Sequence, residues 1–380
     1  MKPTERLVSL DAFRGATIAG MLLVNNPGSW GDLYAPLAHA KWNGWTVTDT
    51  IFPSFLWIVG MSLTLSTARR VEAGADRAQL FRHVLQRAGI IFGLGLLLNA
   101  FPFGLWPGTS LDLATLRWPG VLQRIAVCYL VASAIFLRCG WRGQLAWAVG
   151  ILLGYWALLT LVPVPGYGAG VLDPKGSLAW WIDSHVLAGH TWRGAPAPGF
   201  DPEGILSTLP AIATVLGGTL AGYWLRGARE GTRTSLGLIA GGAALLLLGT
   251  WWGELFPVNK NLWTSSYVVL MAGWSALWFG VFHWAIDVRG WRGWAQPFVW
   301  YGMNALALFV LSGVVARMLG LIRWTGEGGA AMTLKGWLYA TFCTSWLSPV
   351  NASLAFALGF VLAFLALAWA LWRRKWFLKV

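Results

Sequence analysis

The feature that most constrains this chain is a series of apolar runs, each long enough to cross a bilayer. They fall near 9–26, 48–68, 84–103, 119–137, 144–162, 205–225, 234–252, 262–286, 295–316 and 351–372. About 20 apolar residues span the hydrocarbon core as a helix. In lipid every backbone polar group must be satisfied within the segment, so runs of this kind fold as helices. Composition agrees: the chain is 57% hydrophobic and 11% charged, against about 45–50% and 25% in soluble domains. That excludes a soluble globular enzyme and a disordered chain. The 28 Trp suit the membrane–water interface, where amphipathic rings settle. The expected fold is an all-α polytopic membrane protein with about ten transmembrane helices, forming a single domain over 1–380. A short apolar segment, 334–347, is expected as an interfacial helix. The first run carries Asp11 and Arg14 and lacks a plain signal-peptide core, so it reads as a retained helix.

The net charge of +13 reads as topology rather than nucleic-acid binding, because Lys and Arg fall in short loops between apolar runs. With ten spans and a cytoplasmic N-terminus, 18 of the 28 Lys and Arg lie on the inner side and 8 on the outer, with Arg14 and Arg124 inside spans. The positive-inside rule therefore favours both termini in the cytoplasm. Two long loops, 27–47 and 163–204, are then outside. The three Cys suggest neither a disulfide framework nor a metal site.

Ionisable groups within spans are costly and call for a reason. Asp11 and Arg14 are spaced for an i,i+3 ion pair on one helix face. Arg124, early in span four, needs a partner, with Asp49, Asp201 and Glu203 as candidates; a structural ion pair and a site role are both open. His39, in Ala38-His39-Ala40-Lys41-Trp42-Asn43-Gly44, precedes span two, and Asp49 stands at its mouth. A neutral imidazole serves as a general base, and a nearby carboxylate fixes its tautomer and raises its basicity. Read alone, His39 is as readily a polar loop residue. Asn25, at the outer end of span one, is suited to donate to an oxyanion. His185 and His190 match no strong metal spacing, so no metal is expected. Asp201-Pro202-Glu203-Gly204 starts span six, and Asn259-Lys260-Asn261 lies in a polar lip before span eight. Asn304, within span nine, is an amide that must find a partner.

Taken together, Leu10–Gly15 (LDAFRG), Val24-Asn25, His39-Ala40 with Trp42-Asn43-Gly44, Thr46-Val47 with Asp49, Phe52 and Pro53, Gly120–Ile125 (GVLQRI), Asp201–Leu206 (DPEGIL), Pro257–Trp263 (PVNKNLW) and Gly302-Met303-Asn304 resemble the heparan-α-glucosaminide N-acetyltransferase family of transmembrane acyltransferases, including its bacterial NagX-like members. The resemblance implies a ten-helix core that moves an acetyl group from cytosolic acetyl-CoA to an amino sugar on the far side of the membrane. It implies His39 as the catalytic histidine and Asn25 as the catalytic asparagine, with Asp49 orienting His39. The chain is expected to be a bare core without the animal enzyme's lumenal domain. A free amino sugar or short oligosaccharide is then the expected acceptor, rather than heparan.

On this reading Trp42, Asn43, Arg124, Asp201, Glu203, Asn259, Lys260 and Asn261 hold the sugar. Arg226, Arg229 and Arg233 hold the anionic nucleotide of coenzyme A, and Asn304 meets its pantetheine amides. The protein is expected in a bacterial inner membrane, with the lipid bilayer, coenzyme A and the sugar as partners, no nucleic acid, and a homodimer as a family-level expectation. The rival reading is an amino-sugar transporter without chemistry, which would need a polar pathway and two alternating states.

Overall fold

The computed structural model describes residues 7–227, 230–325 and 331–378. Thirteen α-helices follow in order: α1 Val8–Asn25, α2 Val47–Glu72, α3 Arg77–Ala100, α4 Val121–Arg138, α5 Trp141–Leu161, α6 Leu178–Val186, α7 Ile205–Arg226, α8 Gly231–Leu255, α9 Ser265–His283, α10 Gln296–Met303, α11 Ala305–Leu321, α12 Leu334–Tyr339 and α13 Pro349–Arg373. The only strands among the described residues, Arg323–Thr325 and Ala331–Thr333, pair as one antiparallel hairpin. The protein is an all-α integral membrane protein.

Among the described residues eight helices are long and apolar enough to cross a membrane: α2, α3, α4, α5, α7, α8, α9 and α13. The run at 295–316 becomes α10 and α11, bent by 82° at Asn304. The 18-residue α1 carries Asp11 and Arg14, which lower its hydropathy. The apolar segment at 334–347 forms α12 and a π-helical continuation, Ala340–Thr344. Burial separates the spans. The apolar windows of α7 and α4 are 67% and 61% buried, whereas those of α8, α13, α3 and α5 are only 17–28% buried. The latter four therefore turn most of their surface to lipid.

The chain divides into two compact units. One comprises residues 1–40, 46–52 and 282–379, and the other chiefly 41–45 and 53–281. Within the first, α1 and α10 cross closely because glycines face backbone: a Cβ on Gly15 would strike the Phe298 carbonyl oxygen, and one on Gly302 the Asp11 carbonyl oxygen. Small residues at such crossings let helices pack where water supplies no hydrophobic drive. Arg14 is bound to Asp11 Oδ1 at 3.1 Å, the i,i+3 pair the spacing suggests. The second unit repeats the glycine device between α2 and α7, where Gly60 faces the Val215 carbonyl and Gly218 that of Trp57. Beside it, Tyr155, Phe200, Leu206, Phe256 and Leu262 form a core that anchors the loop 163–204.

Candidate functional site

In the first unit the site begins at the N-terminus of α2. Thr46 and Asp49 form half of a reciprocal cap. Asp49 Oδ2 accepts the backbone N–H of Thr46 at 3.0 Å and its hydroxyl at 3.2 Å, while Asp49 N–H donates to Thr46 O at 3.0 Å. A carboxylate in the first helical turn also complements the helix dipole. The same oxygen accepts Ala40 N–H at 3.0 Å, and the Thr46 hydroxyl donates to Ala38 O at 2.6 Å. The loop carrying His39 is thus tied down on both sides of that residue. Asp49 Oδ1 lies 2.6 Å from His39 Nδ1; the Asp49 side chain is 1% exposed and that of His39 45%. A carboxylate oxygen can only accept here, so Nδ1 carries a proton, and in the neutral imidazole Nε2 holds the lone pair. Asn25 is exposed at the last turn of α1. Its neighbour Asn26 is buried, with its amide donating to Leu22 O at 2.8 Å.

Most of the other polar residues of interest lie in the second unit. Trp42 Nε1–H donates to Leu172 O at 2.9 Å, and its ring meets Phe200 edge-on at 5.6 Å. The Asn259 amide donates to Asn43 Oδ1 at 3.0 Å, and Gly44 N–H donates to Val258 O at 2.7 Å. Gly44 has φ +94°, a backbone shape that favours glycine. The Trp42-Asn43-Gly44 and Pro257–Trp263 segments are therefore bonded to each other. Lys260 and Asn261 are half-buried on the same lip.

Among the described residues Asp201 and Glu203 form no ion pair with Arg124, although the sequence offers both as its partners. Their cation is Arg117, which sequence reasoning passed over as an ordinary outer-loop charge. Arg117 Nε donates to Asp201 Oδ2 at 2.8 Å, and one terminal nitrogen reaches Asp201 Oδ1 and Glu203 Oε2, each at 2.6 Å. Burial alone would lower the Arg117 pKa, but the hydrogen bond to Asp201 and the two carboxylate charges outweigh it and hold it above its usual value. For Glu203 burial acts upward, and Arg117, Arg124 and Lys260 together bring it below the usual carboxylate value. The signal for Arg117 was local: it lies at the end of the 101–120 loop, three residues before the matched GVLQRI segment.

Arg124 is 2% exposed. It donates to the Ser207 hydroxyl and, at 3.5 Å, to Gly204 O, and its guanidinium lies 5.0 Å from the Trp263 ring centre. Its Nε and Nη1 meet no acceptor among the described residues, so the Trp263 face supplies the remaining attraction. Asp183, on α6, accepts from Ile205 N–H at 3.0 Å and more weakly from Asp201 N–H at 3.4 Å. It thereby caps α7. Gly204 is required beside it, because a Cβ there would strike the Asp183 carboxylate. Burial pushes Asp183 up to about 7. His185 instead donates to Trp181 O at 2.7 Å. His190 donates to Leu116 O at 2.7 Å and stacks on Trp118 at 3.9 Å. Among the described residues no three His, Cys, Asp or Glu gather as a metal site.

The proposed nucleotide residues are dispersed in role. Arg226 binds Glu72 at 2.6 Å. Arg233 has an 81% exposed side chain and lies 4.0 Å from Glu230. Arg229 lies outside the described residues. Asn304 sits at the break between α10 and α11, in the first unit, and its amide is already engaged. It donates to Trp376 O at 3.1 Å and accepts Leu378 N–H at 2.8 Å. The partner the buried amide demanded is thus the segment after α13.

Residues 6–251 match the family model described as heparan-α-glucosaminide N-acetyltransferase, catalytic. The chain belongs to this family. The match includes Asn25, His39, Asp49, Arg117, Arg124, Asp201 and Glu203, and ends before Asn259–Asn261 and Asn304. Among curated relatives, the heparan-α-glucosaminide N-acetyltransferase of Homo sapiens is 31% identical over 354 residues, covering 80% of this chain and 52% of that one. The Mus musculus counterpart is 29% identical over 355 residues, covering 80% and 53%. The chain therefore spans about half the length of the curated relatives it matches.

Proposed function

We propose that this chain is a transmembrane N-acetyltransferase that moves an acetyl group from acetyl-CoA to the amine of a glucosamine-type sugar. The observation that carries this reading is the His39–Asp49 pair: a half-exposed imidazole 2.6 Å from a buried carboxylate that the loop around it also holds, in a family whose relatives carry that activity in their names. In the proposed reaction the sugar amine attacks the thioester carbonyl carbon. The C–N bond forms, the C–S bond breaks, and His39 Nε2 takes the amine proton and passes it to the leaving thiolate. Asp49 keeps Nδ1 protonated and stabilises the imidazolium that forms. Asn25 donates to the oxyanion of the tetrahedral intermediate, and its loss should cost about 10²–10³ in kcat.

Trp42, Asn43, Arg124, Asp201, Glu203, Asn259, Lys260 and Asn261 are the proposed sugar residues. The bond joining the Asn43 and Asn259 side chains and the charge of Lys260 acting on Glu203 support treating them as one group. The coenzyme is proposed to enter from the cytoplasm of a bacterial inner-membrane protein with both termini inside, its nucleotide near Arg226, Arg229 and Arg233. For Asn304 to meet a pantetheine amide, its two bonds to the Trp376–Leu378 segment must be exchanged.

The test is to incubate the purified chain with acetyl-CoA and glucosamine, then with short amino-sugar oligosaccharides, and to identify N-acetylated product by mass spectrometry. The same spectra, recorded with acetyl-CoA alone, separate direct transfer from a two-step route. Direct transfer is expected, leaving no acetyl group on His39. Failure to acetylate any amino sugar would sink the reading.

A further inference from the structure

The lipid-facing side of α5 holds a groove the proposed reaction does not use. It is an open depression of about 440 Å³ lined by Gly143, Ala146, Trp147, Gly150 and Ile151, all on α5. The small residues make the floor; a Cβ on Gly150 would meet nothing within 4 Å. Trp147, 53% exposed, is a wall. Only 28% of the α5 window is buried, so the groove opens to hydrocarbon.

Its chemistry changes at one end. Arg138 closes α4 and Arg142 lies in the first turn of α5, both exposed. The Arg142 guanidinium lies 5.3 Å from the Trp141 ring, and Trp141 is half-exposed beside it. No Asp or Glu occurs in the sequence from 113 to 172. The acidic residues on the adjoining helix ends are already committed: Asp76 caps the α3 N–H groups of Ala78 and Gln79, and Glu72 binds Arg226. Two cations and an interfacial Trp thus stand where an apolar groove meets the membrane surface.

We propose that this groove binds an anionic phospholipid, an acyl chain lying along Gly143–Ile151 and the phosphate headgroup held by Arg138 and Arg142. A zwitterionic lipid would fill the groove equally well but would gain little from the two cations. Each basic side chain near an anionic headgroup contributes on the order of 1 kcal/mol, so two give a preference of about 30-fold.

The test uses the full chain, delipidated in neutral detergent, and native mass spectrometry with phosphatidylglycerol or phosphatidylcholine. Phosphatidylglycerol should bind about 30-fold more tightly. The double variant Arg138→Gln, Arg142→Gln should erase that preference while leaving weak binding of both lipids. Gly150→Leu places its side chain in open space, so it should fold normally and lose both lipids. Soluble glycerol 3-phosphate should not compete, because it has no acyl chain. Equal affinity for the two lipids, a preference that survives the double variant, or undiminished binding to folded Gly150→Leu would each overturn the proposal.

Discussion

Replacing Arg117 by alanine should be among the most damaging single changes in the second unit. Arg117 donates three hydrogen bonds of 2.6–2.8 Å to two carboxylates, and the Asp201 side chain is completely buried while Arg117 is 23% exposed. Removing one partner of a buried pair costs about 3–5 kcal/mol, because the remaining charge stays buried and unpaired. The partial exposure of Arg117 puts the expectation near the lower end, about 3 kcal/mol. Arg117→Lys should recover less than half of this, since one ammonium cannot reproduce the planar fork on both carboxylates. Adding Asp201→Asn to Arg117→Ala should recover part of the loss, because it removes the completely buried charge while that of Glu203 remains. The assay is denaturant unfolding of the purified chain in detergent, with the parent, Arg117→Ala, Asp201→Asn and the double variant forming one double-mutant cycle and Arg117→Lys measured beside them. If Arg117→Ala lies within about 0.5 kcal/mol of the parent, as a surface substitution would, the cluster is screened by solvent and the reasoning fails.

Three further outcomes are expected. Asp183, raised by burial to about 7, keeps its proton in the folded chain where the unfolded chain has released it; its contribution to stability should therefore be greatest below about pH 4 and decline as pH rises toward 7, and the difference in melting temperature between the parent and Asp183→Asn should change with pH over that window. Gly15→Leu and Gly302→Leu should each collapse the α1–α10 crossing, seen as loss of the monodisperse peak on size exclusion, whereas Gly359→Leu on α13, where a Cβ meets nothing within 4 Å, should behave like the parent. A cysteine at Gly194 should react with an impermeant maleimide added outside, and one at Arg233 only after permeabilisation; the opposite pattern would refute the proposed orientation.

The membrane class and the spans were legible because hydrocarbon imposes one demand, continuous apolar helix, and eight runs meet it without complication. The break at Asn304 was less legible. The sequence marks a buried amide needing a partner, but that partner lies 72 residues away on Trp376, and no local pattern announces it. The neighbourhood of His39 and Asp49 was readable because the two lie ten residues apart at the start of the second apolar run. The Arg124 pairing misled for the opposite reason. Arg117 and Arg124 are seven residues apart, the first at the end of the loop and the second in the first turn of α4; either could reach the Asp201–Glu203 turn, and only the packing of α4 against α7 and Trp263 turns Arg124 to Ser207.

The central claim is that His39, oriented by Asp49, removes the proton from an amino-sugar amine during acetyl transfer. The most direct measurement is release of coenzyme A thiol from acetyl-CoA on adding glucosamine to the purified parent and to His39→Ala, alongside binding of acetyl-CoA by both. The account predicts rapid sugar-dependent release by the parent, near-total loss in His39→Ala, and coenzyme binding unchanged between them. Full release by a folded His39→Ala would contradict it.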